Sequence, residues 1–272
     1  MSGEKTIDTL VEDINTLVGS GTKNPDKGAL FAFASTVMDS VRRQLYVSSM
    51  ERRAGSLRMS NIGKSCTRSL WYDINGDKDA ELLRPETKIK FMMGDIVEAL
   101  LIYLAQEAGH KVTNQQAEIE IEGIKGHIDS FIDGELVDIK SSSSYGMKKF
   151  KNGTLPDDDP FGYIDQISGY ANAFKKKQAT FVAFDKSTGE IATYTHTKLS
   201  DTAAKIKKVK ADTSMEEPPE RAFAAVHDKQ SGGKKLGVNC SYCSHKATCW
   251  AVPGIDTKFR SGRPVFLVKG SY

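Results

Sequence analysis

The sequence predicts an α/β protein with a mixed central β-sheet flanked by helices. Apolar residues follow a helical period in the first 60 residues and again over 87–109. From Val112 onward the period changes to a two-residue alternation, and a further helix and two further strands follow from residue 163. Helices and strands in this order are typical of a sheet packed between helices.

A helical arm is predicted for the first 60 residues. Apolar residues recur at spacings of three and four, at Ile7, Leu10, Val11, Ile14 and Leu17. The glycines and the Asn24-Pro25 pair that follow end this helix. A second helical stretch is predicted from Lys27 to Met50.

The core begins with a long helix from Thr87 to Gly109, after which three antiparallel strands are expected as a meander. Their apolar runs cover 112–121, 128–132 and 136–139, with Gly126 and Asp133-Gly134 as turns between them. An Asp-Gly pair between two alternating segments is a strong hairpin signal.

A second half of the core follows, with a helix over 163–177, strands over 179–185 and 190–195, and a charged helix over 201–212. Residues 213–239 are expected to be mostly loop, because proline and glycine pairs interrupt them. These boundaries predict a helical arm over 1–60, a core over 61–250 and a C-terminal tail over 251–272.

Charge and hydropathy exclude several classes of protein. The chain of 272 residues has 38 Lys and Arg against 35 Asp and Glu, so its net charge of +3 does not by itself indicate a nucleic-acid binder. No apolar run approaches the roughly 20 residues that cross a bilayer, so no membrane partner is expected. The acidic N-terminus has no apolar block typical of a secretory signal, and the cytoplasm is the expected compartment.

Asp138 and Lys140 stand two residues apart on a predicted strand and therefore project from the same face, while Ile139 points into the core. The hairpin through Asp133-Gly134 brings Asp129, in the preceding strand, beside Asp138, where the two carboxylates can share one metal ion. Carboxylate-held Mg²⁺ supplies most of what phosphodiester hydrolysis needs, and a neighbouring lysine can orient or deprotonate the attacking water and offset charge. An acidic-x-Lys triplet alone is a weak signal, since the chain has two others and a surface ion pair gives the same pattern.

Two helices add paired residues at one-turn spacing. Gly94 and Glu98 lie on one face of the helix before the strands, and Gln166 and Tyr170 lie on one face of the helix after them. The order GxxxE, GxxD, (D/E)xK, QxxxY over residues 60–250 resembles the PD-(D/E)XK nuclease superfamily in its RecB-type branch. That resemblance implies a restriction-endonuclease-like core with a central mixed sheet.

The resemblance also implies roles for these residues. Glu98, Asp129, Asp138 and the backbone carbonyl of Ile139 would be ligands for Mg²⁺ or Mn²⁺. Lys140 would be the catalytic lysine, and Gln166 and Tyr170 would organise the site and the DNA. The sequence departs from the family in having Ile128 where proline is common, and Glu98 where the helicase-associated members carry histidine. An oxygen ligand at that position favours Mg²⁺ over softer metals.

The four cysteines form one compact triplet, Cys240-x2-Cys243-x5-Cys249, and one distant residue, Cys66. A zinc site usually has two local pairs, and free core cysteines are a further alternative. One cysteine followed far downstream by a triplet resembles the iron–sulfur nucleases, the AddB subunit and the CRISPR-associated RecB-like family. That resemblance implies a 4Fe–4S cluster held by a C-terminal knuckle, with Zn²⁺ as the alternative. His245, within the triplet, is predicted to be an ordinary loop residue.

The resemblance implies a metal-dependent deoxyribonuclease, an exonuclease of phage-type recombination, replication or DNA degradation, located in the host cytoplasm if phage-encoded. Its partner would be DNA with single- or double-stranded ends, while a protein partner in recombination and a homo-oligomer stay open. The alternatives are a CRISPR-adaptation nuclease that trims DNA ends and a non-catalytic iron–sulfur DNA-binding module.

Overall fold

The computed structural model describes residues 4–45 and 55–271. Its helices are α1 (Leu10–Ser20), α2 (Lys27–Leu45), α3 (Met59–Ile62), α4 (Thr67–Asn75), α5 (Pro85–Glu107), α6 (Ser144–Lys151), α7 (Tyr163–Ala173), α8 (Thr202–Thr213), α9 (Val238–Ser241) and α10 (Lys246–Cys249), with one 3₁₀ turn at Leu155–Asp157. Its strands are β1 (Val112–Thr113), β2 (Glu118–Ile121), β3 (Ile124–His127), β4 (Ser130–Ile132), β5 (Glu135–Ser142), β6 (Ala179–Asp185), β7 (Ile191–His196), β8 (Val226–His227), β9 (Lys234–Lys235), β10 (Ile255–Arg260) and β11 (Arg263–Val268).

The chain forms two compact units. The first contains the described residues of 4–45, 58–63 and 85–203, and the second contains 55–57, 64–84 and 204–271. The first unit is built on a five-stranded sheet in the order β1-β4-β5-β6-β7, in which β5 and β6 run parallel and the other neighbours antiparallel. The predicted α/β class with a mixed sheet is therefore confirmed, whereas the predicted division at residues 60 and 250 stays a prediction.

The apolar core of the first unit lies between the sheet and helices α1 and α5. Leu10 of α1 and Leu101 of α5 pack with Ile139 and Val182, which are partners across the parallel β5–β6 pair. The neighbouring Phe181 has the opposite orientation because side chains alternate along a strand, and its ring contacts aromatic rings of α6 and α7. The sheet is thus covered on both faces, which fixes the direction of every side chain on β5.

The predicted meander of three strands was wrong, because part of it does not belong to the same sheet as the rest. Residues 118–127 form a separate two-stranded sheet, β2–β3, whose turn lies at Glu122-Gly123 and not at Gly126. Both turn residues have positive φ, as a two-residue type I′ hairpin requires, and a glutamate at that position is an unusual signal. The β4–β5 hairpin at Asp133-Gly134 was predicted correctly and has the same turn conformation.

Helix α6 and the β10–β11 hairpin are elements that the sequence did not predict. The second helix is described only to Leu45, and the predicted extension over 46–50 lies outside the described residues. The serine run 141–144 spans the end of β5 and the start of α6, where the Ser143 hydroxyl accepts a hydrogen bond from the Gly146 N–H and caps the helix. Residues 255–268 form the β10–β11 hairpin where a tail was expected.

The second unit has a four-stranded sheet in the order β10-β11-β9-β8. Leu236, Trp250, Phe266 and Val268 form its apolar core. The buried Asp228 accepts two hydrogen bonds of 2.8 Å from the Arg260 guanidinium, which holds the pKa of that carboxyl well below its usual range. Across the described part of the chain, no helix combines the length and apolar character needed to traverse a bilayer.

Candidate active site and cysteine site

Asp138 and Lys140, two residues apart on β5, lie on the same face of the strand and form an ion pair. Asp138 is 1% exposed, and its Oδ2 lies 2.6 Å from the Lys140 Nζ. The Asp138 Oδ1 is also buried and has no hydrogen-bond partner in the described structure. The expected shared face of Asp138 and Lys140 is therefore confirmed.

Asp129 joins this pair from a different position than predicted. It lies in the break between β3 and β4 and not within a strand, because its backbone carbonyl accepts a hydrogen bond from the Gln116 N–H instead of a ladder partner. Its Oδ2 accepts a hydrogen bond of 2.6 Å from the backbone N–H of Ile139. That bond places the Asp129 carboxylate beside the backbone link between Asp138 and Lys140.

Glu98 comes to the site from α5. Gly94, one turn earlier, faces β5, and a Cβ at that position would make an ordinary contact of 3.7 Å with the Ser141 Oγ. Gln116 donates a hydrogen bond of 2.5 Å to the Glu98 Oε1. Burial, together with the negative charge of Asp138 and Asp95, raises the pKa of Glu98 to about 7, against the lowering effect of Gln116.

The three carboxyl groups, of which Asp138 is buried and Glu98 and Asp129 are half-buried, repel one another. Burial and the charges of Glu98 and Asp138 raise the pKa of Asp129 well above its usual value, and burial raises the pKa of Asp138. Burial would lower the pKa of Lys140, but the nearby Asp138 and Asp129 carboxylates outweigh it and raise that pKa. Lys140 is therefore a fixed positive charge among acidic groups.

A hydrogen-bonded chain leads from Lys140 into helix α7. The Lys140 Nζ donates to the Gln166 Oε1 at 3.3 Å, and the Gln166 Nε2 donates to the Tyr170 hydroxyl at 3.1 Å. The Tyr170 side chain is 2% exposed and packs close to Gly126 and Met59. The structure thus brings Gln166 and Tyr170 to the same site as the carboxylates.

Two residues at this site were missed by sequence reasoning. The Lys140 Nζ lies 4.7 Å from the centre of the Tyr163 ring, a cation–π contact, and Gln116 binds Glu98 as described above. Tyr163 stands three residues before Gln166, so its position on the same face of α7 was available as a signal. Gln116 lies in a loop with positive φ, and no sequence pattern marks it.

The donor set fits a magnesium ion in its chemistry. Mg²⁺ binds through one or two carboxylates and keeps several waters, and mutually repelling carboxylates are relieved by a cation between them. The buried Asp138 Oδ1 without a partner is one such donor. Within residues 4–45 and 55–271, however, no group of three or more His, Cys, Asp or Glu side chains, whether carboxylates or cysteines, is placed closely enough to hold a metal ion as it stands.

All four cysteines belong to the second unit, where they are half-buried and form no disulfide. Burial raises the pKa of the Cys243 thiol to about 11, and the negative charges of the Cys66, Cys249 and Cys240 thiolates add to this effect. Burial by itself would lower the pKa of Arg68. The hydrogen bond from the Arg68 guanidinium to Cys249 and the charge of that thiolate outweigh burial, so the pKa is raised. The thiols therefore influence one another electrostatically, beside a fixed positive charge.

His245 lies in a turn, as predicted for a loop residue, but its side chain is buried and both ring nitrogens are paired, which the sequence did not indicate. The side chain is 5% exposed, its Nδ1 lies 2.8 Å from Asp77 and its Nε2 lies 2.9 Å from Asp73. The ring also stacks on Tyr72. Because these three partners lie in or just after α4, the histidine ties the cysteine triplet to the helix that follows Cys66.

No protein-family model matches the chain, and no curated protein matches it. Solved structures with some similarity include SSO0001, at a TM-score of 0.42 and 16% identity, covering 83% of this chain and 98% of that one. The alkaline exonuclease LHK-Exo from Laribacter hongkongensis gives a TM-score of 0.39 at 16% identity, covering 59% and 91%. LHK-Exo in complex with dAMP gives 0.40 at 15% identity, covering 59% and 90%.

Proposed function

We propose that this chain is a divalent-metal-dependent deoxyribonuclease, and specifically an exonuclease that hydrolyses DNA from its ends. The observation that carries the proposal is a group of three carboxyls and one lysine around the buried Asp138, namely Glu98, Asp129, Asp138 and Lys140. Acidic groups that converge in this way hold a hard cation, and the lysine offsets the negative charge that develops at phosphorus. An ordinary surface ion pair would have neither a buried carboxylate nor two further carboxyls beside it.

In this proposal Glu98, Asp129 and Asp138, together with the backbone carbonyl of Ile139, hold Mg²⁺, with Mn²⁺ as a substitute. The ion when bound would supply an activated water and charge stabilisation for phosphodiester cleavage. Every one of these ligand atoms is an oxygen, which is the donor type that Mg²⁺ and Mn²⁺ prefer.

Lys140 acts as a positive charge and a hydrogen-bond donor, and not as a base. Its raised pKa keeps the ammonium protonated at neutral pH, so it cannot accept a proton from water there. The ammonium is held by Asp138, by the Gln166 amide oxygen and by the Tyr163 ring, which orient it toward the carboxylates. A scissile phosphate oxygen beside it would receive an N–H donor that is already oriented.

Gln166 and Tyr170 position this lysine. The Gln166 side-chain amide accepts from Lys140 and donates to the Tyr170 hydroxyl, so its orientation is fixed at both ends. The buried Tyr170 in turn anchors the amide to the packed interior of the first unit. These two residues therefore set the geometry of the charge and do not perform bond breaking.

Cys66, Cys240, Cys243 and Cys249 are proposed to hold a 4Fe–4S cluster, with Zn²⁺ as the alternative. Four thiols of one unit that affect each other's pKa supply the ligand set that both groups require. Arg68 beside Cys249 offsets part of the negative charge of four thiolates. Metal and sulfide analysis of protein purified without oxygen separates the two alternatives.

The test of the proposed activity uses linear and circular DNA, each single- or double-stranded, with the linear forms labelled at either end. We expect Mg²⁺-dependent release of short products from linear DNA, complete inhibition by EDTA, and little cleavage of circles. Cleavage of circles at an equal rate would make the chain an endonuclease. Binding without any cleavage would favour the alternative, a non-catalytic iron–sulfur DNA-binding module.

A further inference from the structure

An aromatic ring with most of its surface in solvent stands next to the lysine site. Phe161 is 63% exposed, although large aromatic side chains are usually buried. Its ring stacks on Tyr163, with the ring centres 5.4 Å apart and the planes 26° apart. Tyr163 in turn lies under the Lys140 ammonium, so a single ring separates Phe161 from the proposed catalytic charge.

The backbone fixes the position of this ring. Gly162 has a φ of 75° and approaches the backbone of Gly63 so closely that no side chain fits at either residue. The Asp159 Oδ2 accepts a hydrogen bond of 2.8 Å from the Ile164 N–H and closes the turn that carries Phe161. The Gly162–Gly63 contact and this turn set the backbone on both sides of Phe161, so the exposed ring has a defined position against Tyr163.

The charges around Phe161 decide which part of a nucleic acid it contacts. Residues 157–164 contain three aspartates and no lysine or arginine. The negative charge of this segment disfavours the binding of a phosphate group. Asp158 is paired with Lys149, and Asp159 is engaged as described above. A nucleobase has an uncharged π-face that stacks on aromatic rings, and it avoids this repulsion.

We propose that Phe161, supported by Tyr163, is a stacking platform for one unpaired nucleobase of the substrate, while the neighbouring phosphate lies at Lys140. This inference rests on the proposed function and adds the substrate class, namely single-stranded or frayed DNA ends. In an intact duplex both faces of a base are covered by its neighbours, so only an unpaired or terminal base offers a face to the ring.

The test measures binding in EDTA, where cleavage is absent, by the fluorescence anisotropy of a labelled single-stranded oligonucleotide. We expect Phe161→Ala to weaken binding about tenfold, within the range found for base–aromatic stacking, and Phe161→Trp to retain it. A series of oligonucleotides, each with one abasic residue near the end, identifies the stacked base. The abasic residue at that position should weaken wild-type binding about tenfold and should not weaken Phe161→Ala further, because both changes remove the same contact.

Phe31→Ala is the matched control, since Phe31 is 76% exposed but belongs to α2, and its binding should equal wild type. In steady-state cleavage, Phe161→Ala should raise KM with little change in kcat, and its melting temperature should stay at the wild-type value. If wild type cleaves DNA but the effects of Phe161→Ala and of every abasic residue on binding are additive, the stacking platform is overturned and the proposed nuclease function is unaffected. If wild type neither binds nor cleaves DNA, both the proposed function and the platform are overturned.

Discussion

At the scale of single residues, the main feature is a lysine whose charge is fixed by its surroundings. Lys140 and Asp138 form an ion pair in which the Asp138 side chain is almost fully buried. Removing one partner of a buried pair leaves an uncompensated charge and typically costs about 3–5 kcal/mol of stability. A loss of activity on replacing either residue by alanine therefore has to be separated from a loss of folding.

Tyr170 offers a second test at this scale. Tyr170→Phe keeps the packed ring and loses only the hydroxyl that accepts from Gln166, so stability should fall by about 0.5–1.5 kcal/mol and cleavage should fall moderately. Tyr170→Ala also empties a buried site, which should cost about 3–5 kcal/mol and abolish most activity. Urea unfolding and initial cleavage rates measure both effects. Equal and small effects of the two variants would make Tyr170 irrelevant to the site.

At the scale of elements, α3, α7 and the β2–β3 hairpin meet at glycines. A Cβ at Gly126 of β3 would lie 2.6 Å from the Met59 Cβ and 3.1 Å from the Tyr170 ring, and a Cβ at Gly169 would contact Met59. Met59 is fully buried at this junction. The glycines therefore allow α3 and α7 to pack closely, and they hold α7 with Gln166 and Tyr170 in position.

Gly126→Ala tests this packing. The added methyl group must displace Met59 or Tyr170, and overpacking of this kind typically costs about 1–3 kcal/mol. Cleavage should fall as well, because α7 carries the residues that orient Lys140. Gly19→Ala is the control, since no atom lies within 4 Å of a Cβ there and alanine favours the helix. A Gly126→Ala protein with wild-type unfolding and cleavage would contradict this role.

The elements with a clear period were predictable from the sequence, as α1, α5, α7, β6 and β7 show. The element boundaries that depend on local backbone conformation were not predictable. Glu122, for example, adopts a positive φ, and a glutamate does not signal such a turn. The β10–β11 hairpin was missed although Ser261-Gly262 forms a turn, since Pro264 weakens the strand signal that follows. Of the candidate site, the strand pair Asp138 and Lys140 followed from periodicity, whereas Gln116 and the break at Asp129 depend on tertiary packing.

At the scale of the whole molecule, the cysteines belong to chain segments that lie far apart in sequence. Cys66 is 174 residues before Cys240, and residues 85–203 of the first unit lie between them in the sequence. A shared cluster would close this long loop and restrict the unfolded chain. For disulfides, the same restriction raises the free energy of unfolding by a few kcal/mol. The proposed cluster is therefore assigned a role in stability.

Replacing any one of the four cysteines by serine should remove the cluster. Protein isolated without oxygen is expected to be brown and to contain iron and sulfide, and each variant should be colourless with a lower melting temperature. Cleavage should fall in proportion to the unfolded fraction, because no cysteine belongs to the carboxylate site. Colourless wild-type protein with one tightly bound zinc would overturn the cluster and leave the nuclease proposal intact.

Asp138→Asn is the most direct test of the proposal that Glu98, Asp129, Asp138 and Lys140 form a site that hydrolyses DNA. The amide keeps the shape of the side chain but lacks its negative charge, and Lys125→Ala is the control because Lys125 pairs with Glu118 on the surface. The measurement is the initial rate of cleavage of end-labelled linear DNA in saturating Mg²⁺, with the melting temperature of each protein recorded alongside. We expect Asp138→Asn to remain folded and to lose at least about 10²-fold in rate, while Lys125→Ala cleaves like wild type. A folded Asp138→Asn protein with near-wild-type rate would contradict this proposal.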